Sequence, residues 1–230
     1  MREAIPRLLA TLDQALGIRN RWHGFPPGGF DLEGEKLLDW SWIVSNLEPN
    51  RGKRLIDIGC AQAPIVPTAS ALGYTVYGVD TDSLCYCLPG FEFYHDDYMD
   101  VVLPSGLFDV VVLCSVVEHI GLPGRYDQKE IPDGDLQAMK KAKGLLRPDG
   151  MLLLTIPVGS DLIFTPWHRI YGPQRLPSLL GGFSIRKEQF WTKQPGGPWQ
   201  LAVREAAMSV DRAGLSYALG QFALRPQSVR

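Results

Sequence analysis

The sequence predicts an α/β fold of the doubly wound, Rossmann-like kind. Two observations favour it: short apolar runs alternate with helical patterns between residues 53 and 157, and several of these runs are apolar almost throughout. Helices cover both faces of a parallel sheet, so its strands need apolar residues on both sides. The chain has 230 residues, enough for one full-sized α/β domain.

The predicted elements follow one another in the order that this fold requires. Near-continuous apolar runs predict strands, and apolar residues at three- and four-residue spacing predict helices through 69–72 and over about 135–146. The runs at 183–191 and 215–224 are expected to close the sheet as an antiparallel pair. We therefore expect a mostly parallel, seven-stranded sheet with an antiparallel C-terminal strand. The earlier predicted strands cover residues 54–58, 75–79, 91–95, 108–114 and 151–156.

The chain is predicted to consist of two parts. Residues 1–50 are expected to form a helical N-terminal extension with an aromatic loop, and residues 51–230 the main domain. A lid-like insertion is predicted at about 157–205, where prolines, glycines and aromatic residues are frequent. Right-handed crossovers place the loops that follow parallel strands along one edge of the sheet, so we expect any ligand site there.

Composition narrows the classes of function. The formal net charge of -2 provides no overall attraction to phosphate backbones or anionic membranes, so neither nucleic acid nor membrane is an expected partner. No apolar run approaches the roughly 20 residues of a membrane span. The four cysteines and the lack of a convincing secretory signal predict reduced thiols in a cytoplasmic protein. Cys85 and Cys87 have no second ligand pair at zinc spacing, so no metal site is predicted.

Acidic residues mark the ends of the first two predicted strands. Asp57 stands two residues before Gly59, and Asp80 ends the second strand. An acid at the end of the second strand can accept hydrogen bonds from both hydroxyls of a ribose, and a glycine turn lets a ligand approach the backbone. The alternative is an ordinary strand-turn-helix unit with a solvated Asp80.

This arrangement resembles the class I S-adenosylmethionine-dependent methyltransferases, whose first motif is an acid, one residue, then Gly-x-Gly-x-Gly. Asp57 and Gly59 match the motif, whereas Ala61 and Ala63 occupy the positions of the second and third glycines. Alanine would cost of order 1 kcal/mol there if either position needed a positive φ. A Rossmann dehydrogenase would need glycines at 59, 61 and 64, and Ala61 and Pro64 disfavour a nicotinamide site.

The resemblance continues in order through residues 53–157. Asp97 follows the third predicted strand, where the superfamily places an acid on the adenine amino group, and the run at 108–120 is similar to its fourth motif. Residues 145–150 are similar to the turn before its fifth strand. The resemblance implies S-adenosyl-L-methionine as the cofactor. It implies cofactor binding by Asp57, Gly59, Ala61, Asp80, Thr81, Asp97, Tyr98 and Ser115.

Two histidines on the predicted catalytic edge are candidates for a general base. His119 lies at the end of the fourth predicted strand, and His168 follows the fifth. A base that removes a hydroxyl proton contributes typically about 10²–10⁴-fold to the rate. Either histidine can instead orient a loop, and Asp161 and Arg169 can instead form an ion pair between loops. The residues predicted to bind substrate are His23, Glu118, Asp161, Arg169 and Tyr171.

The resemblance implies methyl transfer to a small molecule, and a hydroxyl acceptor is the first hypothesis. Residues 168–173 resemble a block found in a bacterial group associated with polysaccharide or secondary-metabolite genes, which implies a sugar or secondary metabolite. N- or C-methylation stays open, because no residue in the sequence indicates which kind of atom accepts the methyl group. A methyltransferase-like binding or scaffold protein without catalysis is the alternative, and Ala61 and Ala63 favour it.

Overall fold

An eight-stranded mixed sheet forms the centre of the fold, seen in a computed structural model. The structure describes residues 35–50, 52–61, 63–123, 130–164, 168–194, 197–211 and 217–227. Its strands are β1 (Arg54–Ile58), β2 (Thr75–Asp80), β3 (Glu92–His95), β4 (Phe108–Cys114), β5 (Leu146–Val158), β6 (Leu162–Phe164), β7 (His168–Ile170), β8 (Phe183–Lys193), β9 (Trp199–Ala202) and β10 (Ala218–Pro226). Its helices are α1 (Glu35–Ser45), α2 (Ile65–Ala71), α3 (Gly134–Leu145), α4 (Arg175–Leu179) and α5 (Arg204–Met208).

The main sheet has the strand order β3-β2-β1-β4-β5-β10-β8-β9. Strands β3, β2, β1, β4 and β5 are parallel, and β10 pairs antiparallel with both β5 and β8. The predicted Rossmann-like sheet with an antiparallel C-terminal strand is therefore confirmed. Strands β6 and β7 form a separate two-stranded sheet.

The predicted strand count of seven is wrong by one, because β9 adds an eighth strand at the edge of the sheet. It pairs antiparallel with β8 and has only four residues. None of the four is buried, and four residues are too few to show a clear period in the sequence. A short exposed edge strand leaves little signal in a sequence.

The hydrophobic core lies on both faces of the sheet. On one face, α3 packs Ala138 and Met139 against Phe108 and Leu154. On the other face, α1 and α2 cover Leu55, Val112 and Leu153 with their own apolar residues, among them Trp42, Ile43, Ile65 and Val66. Successive strand residues alternate between faces, so Asp57 shares the face of Leu55. Its side chain therefore lies on the side of the sheet that α1 and α2 cover.

Helix α1 connects the predicted N-terminal extension to the sheet. It contacts α2, β4 and β10. Residues 1–34 lie outside the described residues, and the division at residue 50 stays a prediction. The predicted lid segment at 157–205 contains the β6–β7 sheet, α4, β8, β9 and the start of α5. In the part of the chain that the structure describes, no helix is both long and apolar enough to span a membrane.

Glycine is required at position 59 for two reasons. Gly59 has a φ of +76°, a backbone conformation that residues with a Cβ rarely adopt. An added Cβ would also overlap the Val116 Cγ2 atom. Val116 lies just beyond β4, so this contact couples the bend after β1 to the loop after β4.

We expect Gly59→Ala to lower the free energy of unfolding by about 2 kcal/mol or more, since backbone strain and overlap with Val116 add. Gly144→Ala is the matched control, because nothing lies within 4 Å of an added Cβ in that α3 position. The control should be neutral or up to about 1 kcal/mol more stable. Urea unfolding of both variants measures the difference, and equal stabilities would contradict the assigned bend.

Candidate functional site

A bend at the carboxyl end of β1 brings Asp57 and Asp80 to the same edge of the sheet. The Gly59 N–H donates to the Val79 carbonyl at 2.8 Å, which ties the bend to β2. The Ala61 N–H donates to Asp80 Oδ2 at 2.8 Å, and the Asp82 N–H donates to Oδ1 at 2.8 Å. Each carboxylate oxygen has more than one acceptor site, so Asp80 can still accept hydrogen bonds from a ligand.

Alanine fits the bend at positions 61 and 63 without backbone strain. Among the described residues other than glycine, only Ser115 and Asp133 have a positive φ. Neither Ala61 nor Ala63 therefore has the positive φ that would make an alanine cost free energy there. Both alanine side chains are buried, and Ala63 packs in the core with Ile65.

The Asp57 side chain is fully buried, and neither of its oxygens has a hydrogen-bond partner. Burial raises the pKa of Asp57 well above its ordinary value, and the neighbouring Asp80 carboxylate raises it further. A buried acceptor that lacks a donor costs about 1–3 kcal/mol. A ligand that donates hydrogen bonds or carries positive charge here would remove that cost.

Two residues predicted to bind the cofactor, Thr81 and Asp97, follow β2 and β3. Asp97 Oδ1 accepts from the Met99 N–H at 2.7 Å, which orients the half-buried carboxylate at the end of β3. Thr81 is exposed, and its carbonyl lies 2.9 Å from His95 Nε2. Both residues lie on the edge where the sequence predicts the cofactor.

Tyr98 has the contacts of a packing residue. Its ring is buried, its hydroxyl donates to the Ala138 carbonyl at 3.2 Å, and Lys141 Nζ lies 5.0 Å from its ring centroid. Lys141 also donates to the carbonyls of Tyr98 and Val101, at 2.5 and 2.7 Å. These contacts attach the loop after β3 to α3, so the Tyr98 side chain lends no support to its predicted role in cofactor binding.

Helix α1 presents acidic residues to the edge of the sheet at the end of β4. Asp39 is fully buried, and its Oδ2 accepts from Ser115 Oγ at 2.9 Å. Ser115 has a φ of 52°, so the chain turns sharply where β4 ends. Glu35 is also buried and accepts a hydrogen bond from the Tyr217 hydroxyl. Lys36 Nζ lies 3.6 Å from Glu35 Oε1 and 3.9 Å from Asp39 Oδ2.

Sequence reasoning did not assign a role to Glu35 and Asp39 of α1, although their spacing indicates one. Glu35 and Asp39 are four residues apart, and Asp39 is followed by Trp42 and Ile43 at the spacing of one helix face. Acids on the apolar stripe of a helix are unusual, because a buried carboxyl needs a partner. That pattern predicts a buried polar contact.

Burial changes the protonation of the carboxyls in this region. It raises the pKa of Asp39 to about 6, although the Lys36 ammonium acts in the opposite direction. It raises the pKa of Glu118 to about 8, again opposed by Lys36. Burial alone would lower the pKa of Lys36, but the carboxylates of Glu35 and Asp39 outweigh it and raise this pKa. Burial thus favours the neutral form of both carboxyls and does so more strongly at Glu118.

The two predicted base candidates lie side by side. The rings of His119 and His168 have centroids 6.2 Å apart and are nearly perpendicular, and the His168 ring lies 5.6 Å from that of Tyr217. His119 Nε2 is 3.7 Å from Glu118 Oε1. His168 is buried, whereas His119 is partly exposed. The loop after β4 and the start of β7 thus bring two imidazoles and a buried carboxyl together.

Three of the residues predicted to bind substrate already serve as internal contacts. Arg169 Nη1 donates to the Ile120 carbonyl at 2.7 Å, which attaches β7 to the loop after β4. Asp161 accepts from three backbone N–H groups, those of Gly172, Gln174 and Arg175. The Tyr171 side chain is fully buried. Arg169 and Asp161 thus make structural contacts with backbone groups, and these contacts lend no support to a role in substrate binding.

His23 lies outside the described residues. Within the described ranges, no group of three or more histidine, cysteine, aspartate or glutamate side chains is arranged to hold a metal ion.

Comparison with known sequences matches this chain to one family and to two curated proteins of the same name. A family model described as "Caenorhabditis protein of unknown function, DUF268" matches residues 95–210. A tRNA U34 carboxymethyltransferase of Trichlorobacter lovleyi is 27% identical over 169 residues, which are 66% of this chain and 49% of the relative. The one of Pseudoalteromonas translucida is 25% identical over 150 residues, which are 60% and 43%. The chain spans about half the length of these curated relatives.

Solved structures share the fold at low sequence identity. The 1,6-didemethyltoxoflavin-N1-methyltransferase of Burkholderia thailandensis, crystallised with bound 1,6-didemethyltoxoflavin and S-adenosylhomocysteine, matches with a TM-score of 0.56 and 16% identity, over 99% of this chain and 89% of that one. An S-adenosylmethionine-dependent methyltransferase of Mesorhizobium loti matches with a TM-score of 0.51 and 14% identity, over 81% and 97%. The predicted resemblance to class I methyltransferases is therefore confirmed for the fold.

We expect Glu118→Gln to flatten the pH dependence of stability. The folded chain holds the Glu118 proton up to a pKa of about 8, whereas the ordinary value is 4.5, so unfolding releases this proton between the two values. Stability should fall as pH rises through that window, by up to about 1.4 kcal/mol per pH unit from this group. Glutamine resembles the neutral acid and removes that contribution.

Urea unfolding at several pH values between 5 and 8 measures this slope. Glu205→Gln is the matched control, because Glu205 is exposed in the first turn of α5. The control should show the same pH dependence of stability as the unmodified chain. Identical slopes in Glu118→Gln and the unmodified chain would show that Glu118 is ionised throughout.

Proposed function

The chain belongs to the DUF268 family, and we propose that it is an S-adenosylmethionine-dependent methyltransferase acting on a small molecule. The observation that carries the proposal is the bend after β1, where Asp57 and Asp80 flank Gly59 on the fold of class I methyltransferases. Structural neighbours named as methyltransferases and curated relatives named as carboxymethyltransferases support the same class of reaction.

The residues at the bend fit the proposed cofactor. Asp80 has acceptor sites for the ribose hydroxyls, and Asp97 offers a carboxylate for the adenine amino group. The buried, unpartnered oxygens of Asp57 suit a cationic ligand. Gly59 lacks a Cβ and leaves the backbone open to close approach. When bound, S-adenosylmethionine supplies an electrophilic methyl group on its sulfonium.

We further propose that the acceptor is a hydroxyl and that His119 or His168 removes its proton. Both imidazoles lie at the carboxyl edge of the sheet, beside the buried Glu118. Burial excludes water, and holding the acceptor in line with the methyl group can contribute several kcal/mol, up to about 7–11 in well-oriented models. If loss of these histidines has little effect on the rate of methyl transfer, the acceptor is a nitrogen or a carbon atom.

Methylation or carboxymethylation of a tRNA is the second candidate function. The two curated relatives favour it, because both are named for tRNA U34 and the match covers 60% or more of this chain. The formal charge of -2 counts against it, because binding a phosphate backbone rewards a basic surface. Filter binding with unfractionated tRNA separates the candidates: tight binding that weakens steeply with salt would replace the small-molecule proposal.

A scaffold that has lost catalysis is the remaining alternative. In the sequence, Ala61 and Ala63 replace two motif glycines, which favours this alternative. Neither alanine has a positive φ, so neither replacement counts against cofactor binding. Failure of the purified protein to bind S-adenosylmethionine or S-adenosylhomocysteine would favour the scaffold.

Asp80→Ala should weaken S-adenosylmethionine binding by more than about tenfold, because the ribose hydroxyls lose a charged acceptor. Asp82→Ala is the matched control, since the Asp82 side chain is exposed and its backbone N–H is retained. Isothermal titration calorimetry gives both dissociation constants. Unchanged affinity in Asp80→Ala would rule out the proposed cofactor site.

Replacement of the base should slow methyl transfer while leaving cofactor binding intact. We expect either His119→Ala or His168→Ala to lower the rate by about 10²–10⁴-fold. The rate is measured as label transferred from methyl-labelled S-adenosylmethionine to an extract of small metabolites. Affinity for S-adenosylhomocysteine, measured by calorimetry, should stay within about twofold. If both variants keep the full rate, the hydroxyl proposal fails and an N- or C-acceptor replaces it.

A further inference from the structure

A second buried polar group without a partner lies beside the bend, the hydroxyl of the half-buried Tyr86. Its hydroxyl is buried and makes no hydrogen bond. Tyr86 stands in the segment between β2 and β3, and no motif in the sequence marks it. A buried hydroxyl without a partner costs free energy, as a buried carboxyl does, so this group needs an explanation.

Packing at Gly78 places Tyr86 at the bend. Gly78 is the register partner of Asp57 in the β1–β2 pair. A Cβ added to Gly78 would lie 2.6 Å from Cys60 Sγ and 2.8 Å from Phe91 Cζ, so the missing side chain lets Phe91 settle against the bend. The Tyr86 ring stacks on Phe91 with centroids 6.1 Å apart and planes 25° apart. Tyr86 is thus attached to the residues that surround Asp57.

The two unpartnered groups have complementary chemistry. Burial raises the pKa of the Tyr86 phenol, and Cys60 and Asp57 raise it further, so the hydroxyl keeps its proton and acts as a donor. Asp57, two residues before Gly59, offers acceptor oxygens. The donor and the acceptor do not bond to each other, so each is available to a ligand.

We propose that Tyr86 and Asp57 together bind the amino-acid end of the cofactor. The Tyr86 hydroxyl donates a hydrogen bond to the ligand carboxylate, and the Asp57 carboxylate accepts from the ligand ammonium. This inference rests on the proposed function and adds Tyr86 to the cofactor site. An α-amino acid offers one acceptor group and one donor group, which is the complement of what the bend leaves unsatisfied. It also explains why a phenol and a carboxyl are buried without partners.

The test compares S-adenosylmethionine with decarboxylated S-adenosylmethionine, which lacks only the carboxylate. The unmodified chain should bind the decarboxylated form about tenfold or more weakly, because a hydrogen bond to a charged group is lost. Tyr86→Phe should weaken S-adenosylmethionine binding by a similar factor and bring the two ligands to within about twofold of each other. Calorimetry measures the four dissociation constants.

Two further variants sharpen the test. Asp57→Asn should weaken both ligands equally, because both carry the amino group. Tyr94→Phe is the matched control and should leave the preference unchanged, because the Tyr94 hydroxyl bonds Glu92 in β3. The preference of the unmodified chain is itself a readout that does not depend on the folding of a variant.

The outcomes separate this inference from the proposed function. If the unmodified chain binds both ligands equally well, the assignment of Tyr86 is overturned while cofactor binding stands. Equal loss of both ligands in Tyr86→Phe would also overturn it, since Tyr86 would then only shape the bend. If the unmodified chain binds neither ligand, the proposed function fails and the inference fails with it.

Discussion

The candidate site depends on one backbone constraint, the left-handed bend at Gly59. That conformation and the close approach of Val116 exclude a side chain there. The bend then directs the Ala61 N–H to the Asp80 carboxylate and leaves the Asp57 side chain beneath it. Strands β1, β2 and β4 end at the same edge of the sheet. The conformation of Gly59 therefore determines how Asp57 of β1 and Asp80 of β2 are placed relative to the loop after β4.

The carboxyl edge of the sheet buries more polar groups than stability alone would favour. Asp39, Asp57 and Glu118 are almost fully buried, and each has at least one oxygen without a partner. Apolar residues of similar volume would avoid the cost of desolvating these carboxyls. The same edge carries His119 and His168. Unsatisfied groups concentrated at one edge of an otherwise apolar core are typical of a ligand site.

Sequence reasoning predicted the parts of this structure that repeat a simple pattern. Continuous apolar runs located the parallel strands, and the spacing of Asp57, Gly59 and Asp80 located the bend. The rest depends on contacts between distant segments, which leave no local period. The Ser115–Asp39 hydrogen bond spans 76 residues, and Arg169 is occupied by a carbonyl 49 residues away. A charged side chain in a loop therefore looks the same in sequence whether it binds a ligand or another loop.

Helix α1 joins the two halves of the candidate site, although it lies outside the segment that carries the recognised motifs. Burial raises the pKa of the Cys114 thiol, and the carboxylates of Asp39 and Asp57 raise it further. The bend and the α1 carboxyls are therefore within electrostatic reach of the same atom. Ser115 follows Cys114 at the end of β4 and donates a hydrogen bond to Asp39 of α1. Helix α1, which the methyltransferase motifs do not include, therefore supplies a buried carboxylate to the turn where β4 ends.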